Sequence, residues 1–311
     1  MTLFKKSNVV WFMVMLLAVA FSVAMMVAAP QKGGQLTYKT HEGEILVYET
    51  VSETSRTMER EGETSEFKTT RTYNFQLQGE KSDADLSFVL TINKVDMSSS
   101  GGRGGGFRGG VPEDIQGKRV RIKLAPDGKL GEMTAIDEIK MPEPRSGRQG
   151  DRPSDRRGDP LRLFRIKMLT LPDKSFEVGK SWTEKTKGAP EDDQGGFRFG
   201  GIEQTEERET KYTVLGQEMR NGLQCLHVSM TTKFNREGEG EMRGSEVSVE
   251  GEGETTTEFW FAPQEGVLVE LTESSFYEGT TAFSGDRNMT MPSSSESKYT
   301  LKLVKYSPAA K

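Results

Sequence analysis

The stretch Glu66-Phe67-Lys68-Thr69-Thr70-Arg71-Thr72-Tyr73-Asn74-Phe75-Gln76-Leu77 decides the fold. Phe67, Thr69, Arg71, Tyr73, Phe75 and Leu77 occupy every second position. Successive side chains of a strand point to opposite faces, so this spacing makes one face for burial and one for water. Thr, Tyr and Phe also suit a pleated surface. Asp85–Asp96 repeats the pattern, with Leu86, Phe88, Leu90 and Ile92 on one side. Pro126-Asp127-Gly128, between Arg121–Ala125 and Leu130–Thr134, reads as a hairpin turn. Further strands are expected over Thr205–Leu215, Gly222–Phe234, Thr255–Phe261, Val267–Phe276 and Lys298–Tyr306.

One helix is expected after Asp159, a capping residue followed by Pro160 at a position where its missing N–H costs nothing. Leu161, Phe164, Met168 and Leu169 then share a face, and Leu171-Pro172 ends the element; a buried strand is the alternative. Four segments break the alternation by composition: Ser98–Gly110 (Ser, Gly, Arg), Met141–Arg157 (Pro, Arg, Asp), Gly188–Gly201, and Glu237–Glu254 (Gly, Glu). None holds enough apolar surface to offset the entropy of ordering it, and all four are expected to be mobile loops or hairpin tips.

Landmarks recur at offsets of 136 to 139 residues. Gly43-Glu44-Ile45-Leu46 matches Gly179-Lys180-Ser181-Trp182, and Tyr73–Leu77 matches Tyr212–Leu215. Leu124-Ala125-Pro126-Asp127-Gly128-Lys129-Leu130 matches Phe261-Ala262-Pro263-Gln264-Glu265-Gly266-Val267-Leu268. Three landmarks in order point to a duplication, against the alternative of shared hairpin grammar. The division is then residues 35–140 as a first β half, 141–158 as a flexible linker, and 159–306 as a helix plus a second β half.

The totals agree with thin sheets. Hydrophobic residues make up 33% of the 311, and charged residues 29%. The net charge of −5 gives the whole chain no attraction for nucleic acid or an anionic membrane. The single cysteine, Cys225, excludes an internal disulfide. Lys5 and Lys6 precede Val9–Ala29, an uncharged apolar run of 21 residues. That is the pattern of a secretory signal peptide over residues 1–29, with candidate cleavage after Ala24 or Ala29. The run is also long enough to remain as an anchor, the chain's one expected membrane contact. In either case the remainder is exported to the periplasm, envelope or exterior.

No catalytic, cofactor or metal signature stands out. Cys225 and His227 share a strand face two residues apart, but a closed zinc site needs two more ligands; a buried thiol is the simpler reading. There is no Gly-x-Ser-x-Gly elbow. The acidic groups Asp83–Asp85 and Glu191–Asp193 lack calcium-loop spacing. Arg103 and Arg108 around Phe107 resemble an Arg-Gly-Gly segment, read here as a flexible loop. Charge is uneven: Ser98–Met168 has 16 basic and 10 acidic residues, whereas Ile202–Gly279 has 6 basic and 17 acidic. The default reading of both is a solvated surface.

Leu171-Pro172-Asp173-Lys174-Ser175-Phe176-Glu177-Val178-Gly179-Lys180-Ser181-Trp182 resembles a segment of exported bacterial β-rich domains of unknown function. Tyr212–Gly216, Gly222–Val228 and Phe259-Trp260-Phe261 continue the likeness over most of Gln35–Tyr306; the Ser98–Gly110 loop departs from it. Such domains are broadly similar to lipoprotein-carrier-like open β-barrels. The resemblance implies a ligand-holding role and brings no catalytic residues with it.

These readings converge on a mainly β protein: an antiparallel curved sheet or open, incomplete barrel in two similar halves with one or two short helices. A curved sheet has an apolar face, and incomplete cover leaves a groove. The expected function is a monomeric, non-catalytic carrier of a lipid, or of a lipoprotein or peptide partner, with Phe75, Phe88, Trp182 and Trp260 as candidate contacts. An envelope assembly protein acting through strand edges is the alternative, and a hydrolase stands behind both.

Overall fold

In the computed structural model the alternating stretches pair with their sequence neighbours through tight turns. The structure describes residues 34–60, 62–81, 86–101, 115–139, 161, 164–190, 202–242, 244–285 and 288–309. The signal or anchor segment, the linker 141–158, most of the 98–110 loop and both acidic groups lie outside these residues.

The strands are β1 (Gly34–Gln35), β2 (Ile45–Arg60), β3 (Glu63–Gly79), β4 (Leu86–Gly101), β5 (Arg119–Leu124), β6 (Leu130–Ala135), β7 (Ser175–Phe176), β8 (Ser181–Gly188), β9 (Ile202–Arg220), β10 (Leu223–Met242), β11 (Ser245–Ala262), β12 (Val267–Ser284) and β13 (Met289–Ser307). Eleven form one antiparallel sheet in the order β6-β5-β4-β3-β2-β13-β12-β11-β10-β9-β8. It is curved and does not close into a barrel. It consists of two meanders, β2–β6 and β8–β13, joined where β2 pairs with β13 from Ile45↔Ser307 to Met58↔Ser293. β1 and β7 form a separate two-stranded sheet.

The register gives every long strand a core face and an outer face. Leu77, Leu46, Leu303, Leu301, Leu271, Phe259 and Val228 share the core face. All are buried, and all lie toward one end of the sheet, its base. Register shifts at Asn74/Phe75, His227/Val228, Trp260/Phe261 and Leu303/Lys305 also fall in this part. Bulges bend a strand and raise its twist, so they curl the sheet where it must wrap its cover.

That cover is two extended segments. Leu36 and Tyr38 come from the first; Phe164, Leu171 and Phe176 come from the second. The expected helix shrinks to one tight turn at Leu161 and Phe164, and Arg165–Pro172 is not helical. Its polar backbone groups find partners across the sheet instead. The carbonyl of Leu169 accepts from the Tyr38 hydroxyl (3.0 Å), and Leu171 N–H donates to the Asp127 carbonyl (2.7 Å). These bonds replace the helical ladder, so the backbone stays satisfied without a helix.

Of the two readings of Glu237–Glu254 the long hairpin holds and the mobile loop does not: the segment is strand on both sides of the turn. Glu237 pairs with Glu250 and Gly238 with Val249, and the hairpin turns only after Met242. The alternation was present, with Glu237, Glu239, Glu250 and Glu252 on the outer face and Gly238, Gly240, Val249 and Gly251 on the core face. Ser98–Gly101, expected to be loop, extends β4.

Candidate functional site

The four aromatic candidates do not meet in one pocket. Phe75 and Phe88 lie within the base core, both buried, with Phe75 stacked on Tyr48 at 5.5 Å. Trp182 is on β8 at the far end of the sheet. It lies parallel to Tyr212 (4.9 Å) and edge-on to Phe176 (5.1 Å). Trp260 faces the other way, onto the outer face. Neither cavity described below is lined by any of the four.

Around Trp260 the outer face carries a network the sequence did not suggest. The β9–β10 turn folds toward β13, with Asn221 Nδ2 donating to the Leu303 carbonyl (2.9 Å). This sets the Arg220 guanidinium 4.5 Å from the Trp260 ring centre, while His227 stacks on Trp260 at 4.3 Å. His227 lies between carboxylates, Nδ1 3.4 Å from Glu218 and Nε2 3.3 Å from Glu258. The Trp260 indole N–H donates to Glu218; that bond first, then the charge of Arg220, holds the Glu218 carboxyl below the usual range. Cys225, beside this network, is fully buried, and burial pushes its thiol up to about 11. A thiol so placed is a poor nucleophile and a poor metal ligand at neutral pH.

Further from the base, the outer face holds a trough of 790 Å³ across β10, β11, β12, β13, β2 and β3. Glu59, Glu237, Glu250, Glu252 and Glu278 line it together with Asn235. A second hollow of 630 Å³ near the base is bounded by Glu80, to which Arg121 donates twice (2.7 and 3.0 Å).

The core face continues beyond its cover. Lys167 marks the limit: Nζ lies 2.5 Å from Glu273, and its carbonyl accepts from the Tyr299 hydroxyl (3.3 Å). That row itself runs from Glu273 and Tyr299 through Ser52 and Arg71 to Met97, and past it the aligned positions are Ser99–Thr69–Thr54–Ser297–Ser275, then Phe67–Arg56–Ser295–Tyr277. Phe67 is 36% exposed and Met97 38%. These are large apolar side chains on the same face as the core, left open to solvent.

Part of this extension is a small polar core of its own. Phe234 and Tyr277 lie parallel at 6.2 Å over a floor of glycines: a Cβ at Gly253 would sit 2.4 Å from the Phe234 ring, and one at Gly251 2.5 Å from the Tyr277 hydroxyl. Glycine here admits the rings flat onto the backbone. Arg236 packs 5.3 Å from the Tyr277 ring and donates to Glu206 (2.7 and 3.2 Å), which also pairs with Arg208. Side chains of Arg236 and Glu206 are 4% and 1% exposed. The Glu-Gly alternation was the available signal for this region, and its composition masked it.

No family model matches the chain, and no curated protein matches it. Among solved structures it is similar to one described as lipid–protein interactions in lipovitellin, with 12% identity, a TM-score of 0.44 and 88% of this chain covered. The chain spans 26% of the length of that lipovitellin chain. It is also similar to a DUF1329 family protein from Desulfovibrio piger (9% identity, TM-score 0.20, covering 82% of this chain and 85% of that one). A loop L8 deletion mutant of OmpT, an outer membrane protein of Vibrio cholerae, shows 8% identity and a TM-score of 0.20, covering 83% of this chain and 100% of that one.

Proposed function

We propose that the chain is an exported, non-catalytic binding module that holds the apolar part of a lipid or lipidated partner on the uncovered stretch of its core face. One observation carries this reading. The face that is packed shut at the base runs on with Met97, four strands from Glu273 in the row that Lys167 contacts, and Phe67, two rows further out, both open to solvent. Burying such side chains against a ligand is favourable by roughly 25 cal/mol per Å² of apolar surface removed from water. The interspersed Ser and Thr hydroxyls keep the empty face soluble. The closed base serves as the rigid support, which explains why Phe75 and Phe88 are core rather than contact.

Native mass spectrometry of the protein purified from its own envelope, without detergent, tests this. A lipid-sized mass bound to the wild type and absent from Phe67→Asp/Met97→Asp is the expected result. A bare wild-type protein, or a bound mass that survives both substitutions, overturns it.

Strand addition is the second reading, favoured by the edge of β4. β5 pairs only with Leu86–Thr91, while β4 continues to Gly101. An extended partner segment could add there. Recovery of large complexes that dissociate when Met97 or Ser99 is replaced by proline would favour it.

A further inference from the structure

The two faces of the sheet differ in charge, and the register shows how. On the outer face Glu237, Glu239, Glu250, Glu252 and Glu278 stand together across β10–β12, while Glu207, Glu209 and Glu254 pair with Lys187, Lys185 and Lys233. On the core face the carboxylates are mostly engaged: Glu206 by Arg236 and Arg208, Glu273 by Lys167. Glu63 stands at the β2–β3 turn, opposite Arg60. Arg71 stands in the row of Tyr299 and Glu273, opposite Met97, and Arg56 two rows further out, opposite Phe67.

We infer that the core face selects an anionic phospholipid, its apolar part on Phe67, Met97 and Met58 and its headgroup phosphate between Arg56 and Arg71. This rests on the binding reading above and adds the charge of the ligand. Arg71 is opposite Ser52, and Arg56 lies four residues further along β2. At about 3.4 Å per residue their Cα atoms are roughly 14 Å apart, a gap that two guanidinium side chains and a phosphate can close. Thr54 and Thr69 lie between them and supply hydroxyl donors. Arginine suits this task because its planar fork gives paired hydrogen bonds to phosphate oxygens. Partial burial also holds the Arg56 guanidinium below its usual range, a sign of a site where charge is poorly screened. The acidic outer face repels the same ligand, so an anion is admitted from one side only.

The test is lipid pick-up by the full-length exported chain from phosphatidylcholine vesicles. The vesicles carry a trace of NBD-labelled phosphatidylglycerol or of NBD-labelled phosphatidylcholine. The expected result is a preference of about tenfold for the anionic probe, a factor equal to roughly 1.4 kcal/mol. Arg56→Gln/Arg71→Gln abolishes the preference while still taking up the neutral probe. Arg71→Lys retains part of it, and the outer-face control Lys68→Gln/Lys298→Gln leaves it unchanged. Equal uptake of both probes by the wild type, or a preference that survives Arg56→Gln/Arg71→Gln, overturns the anionic assignment and spares the binding reading. If neither probe leaves the vesicles, the binding reading falls with it, and capture of a polyglutamate peptide instead would make the occupant an acidic polypeptide.

Discussion

Two buried charged groups set the sharpest expectations at the scale of single residues. Arg236 and Glu206 lie almost wholly out of water; removing Glu206 strands Arg236, whereas removing Arg236 leaves Glu206 paired with Arg208. Breaking such a pair costs about 3–5 kcal/mol, whereas exchanging both for apolar groups of similar size is close to neutral. Urea unfolding of Arg236→Met, Glu206→Met and the double variant should therefore show the double variant to be more stable than Glu206→Met alone. Additive losses would mean that the pair is not coupled. Glu44 is different: it is fully buried, its Oε1 has no partner, and desolvation raises its carboxyl above the usual range. A raised folded value means that the folded chain binds the proton more tightly. Stability is then lost as pH rises from the unfolded value, near 4.5, through the folded one. Glu44→Gln should leave the urea midpoint unchanged below that window and raise it above. A midpoint lowered at high pH would show that the charge is a structural asset. Neither group was legible in the sequence, because each acquires its environment from strands far away along the chain.

At the scale of elements, periodicity proved the better guide and composition the worse one. The alternation of Glu66–Leu77 and Leu86–Ile92 placed every one of those side chains on the correct face. In Glu237–Glu254 the same alternation was hidden because most of its core-face positions, Val247 and Val249 apart, are glycine, which has no side chain to mark a face. The glycines are covered by Phe234 and Tyr277 from strands on either side. Over 165–171 the expected helix gave way for another reason: Ile166 and Met168 also fit an extended segment, and only the cross-sheet bonds decide between the two. The strand assignment of Glu237–Glu254 is checked with a glutamate-specific protease. Backbone held in a ladder resists cleavage, so these many glutamates should be cut only after unfolding. Rapid cleavage within the native protein would restore the loop. Turns give a second check. Gly128 (φ 88°) and Gly62 (φ 79°) both sit in the left-handed region, but a Cβ at Gly128 would lie 2.4 Å from the Leu169 carbonyl and the Tyr38 ring. Gly62→Ala should cost about 1 kcal/mol for backbone strain alone. Gly128→Ala should cost distinctly more in the same urea titration, because it also displaces the cover.

That cover determines how the whole molecule behaves. The two meanders meet along one strand pair, β2 with β13, and the β5–β6 and β11–β12 turns lie far apart in the strand order. The segment Tyr38-Lys39 ties them together. Tyr38 N–H donates to the Pro126 carbonyl (2.8 Å) and Lys39 N–H to that of Gly266 (3.1 Å). The Tyr38 ring meets Phe261 edge-on at 5.2 Å, and its hydroxyl reaches the second covering segment at Leu169. Tyr38 thus contacts the β5–β6 turn, β11 and the second covering segment, while Lys39 contacts the β11–β12 turn. Tyr38→Phe leaves the Leu169 carbonyl without its donor and should cost about 1–3 kcal/mol. Tyr38→Ala also empties the space between the segments and should cost about 3–5 kcal/mol. Native-state hydrogen exchange separates a strap from an ordinary core residue. If Tyr38 couples the meanders, amides of β4–β5 and of β11–β12 lose protection by the same amount in Tyr38→Ala. Loss confined to the first meander would show that the halves are held together by the β2–β13 ladder alone.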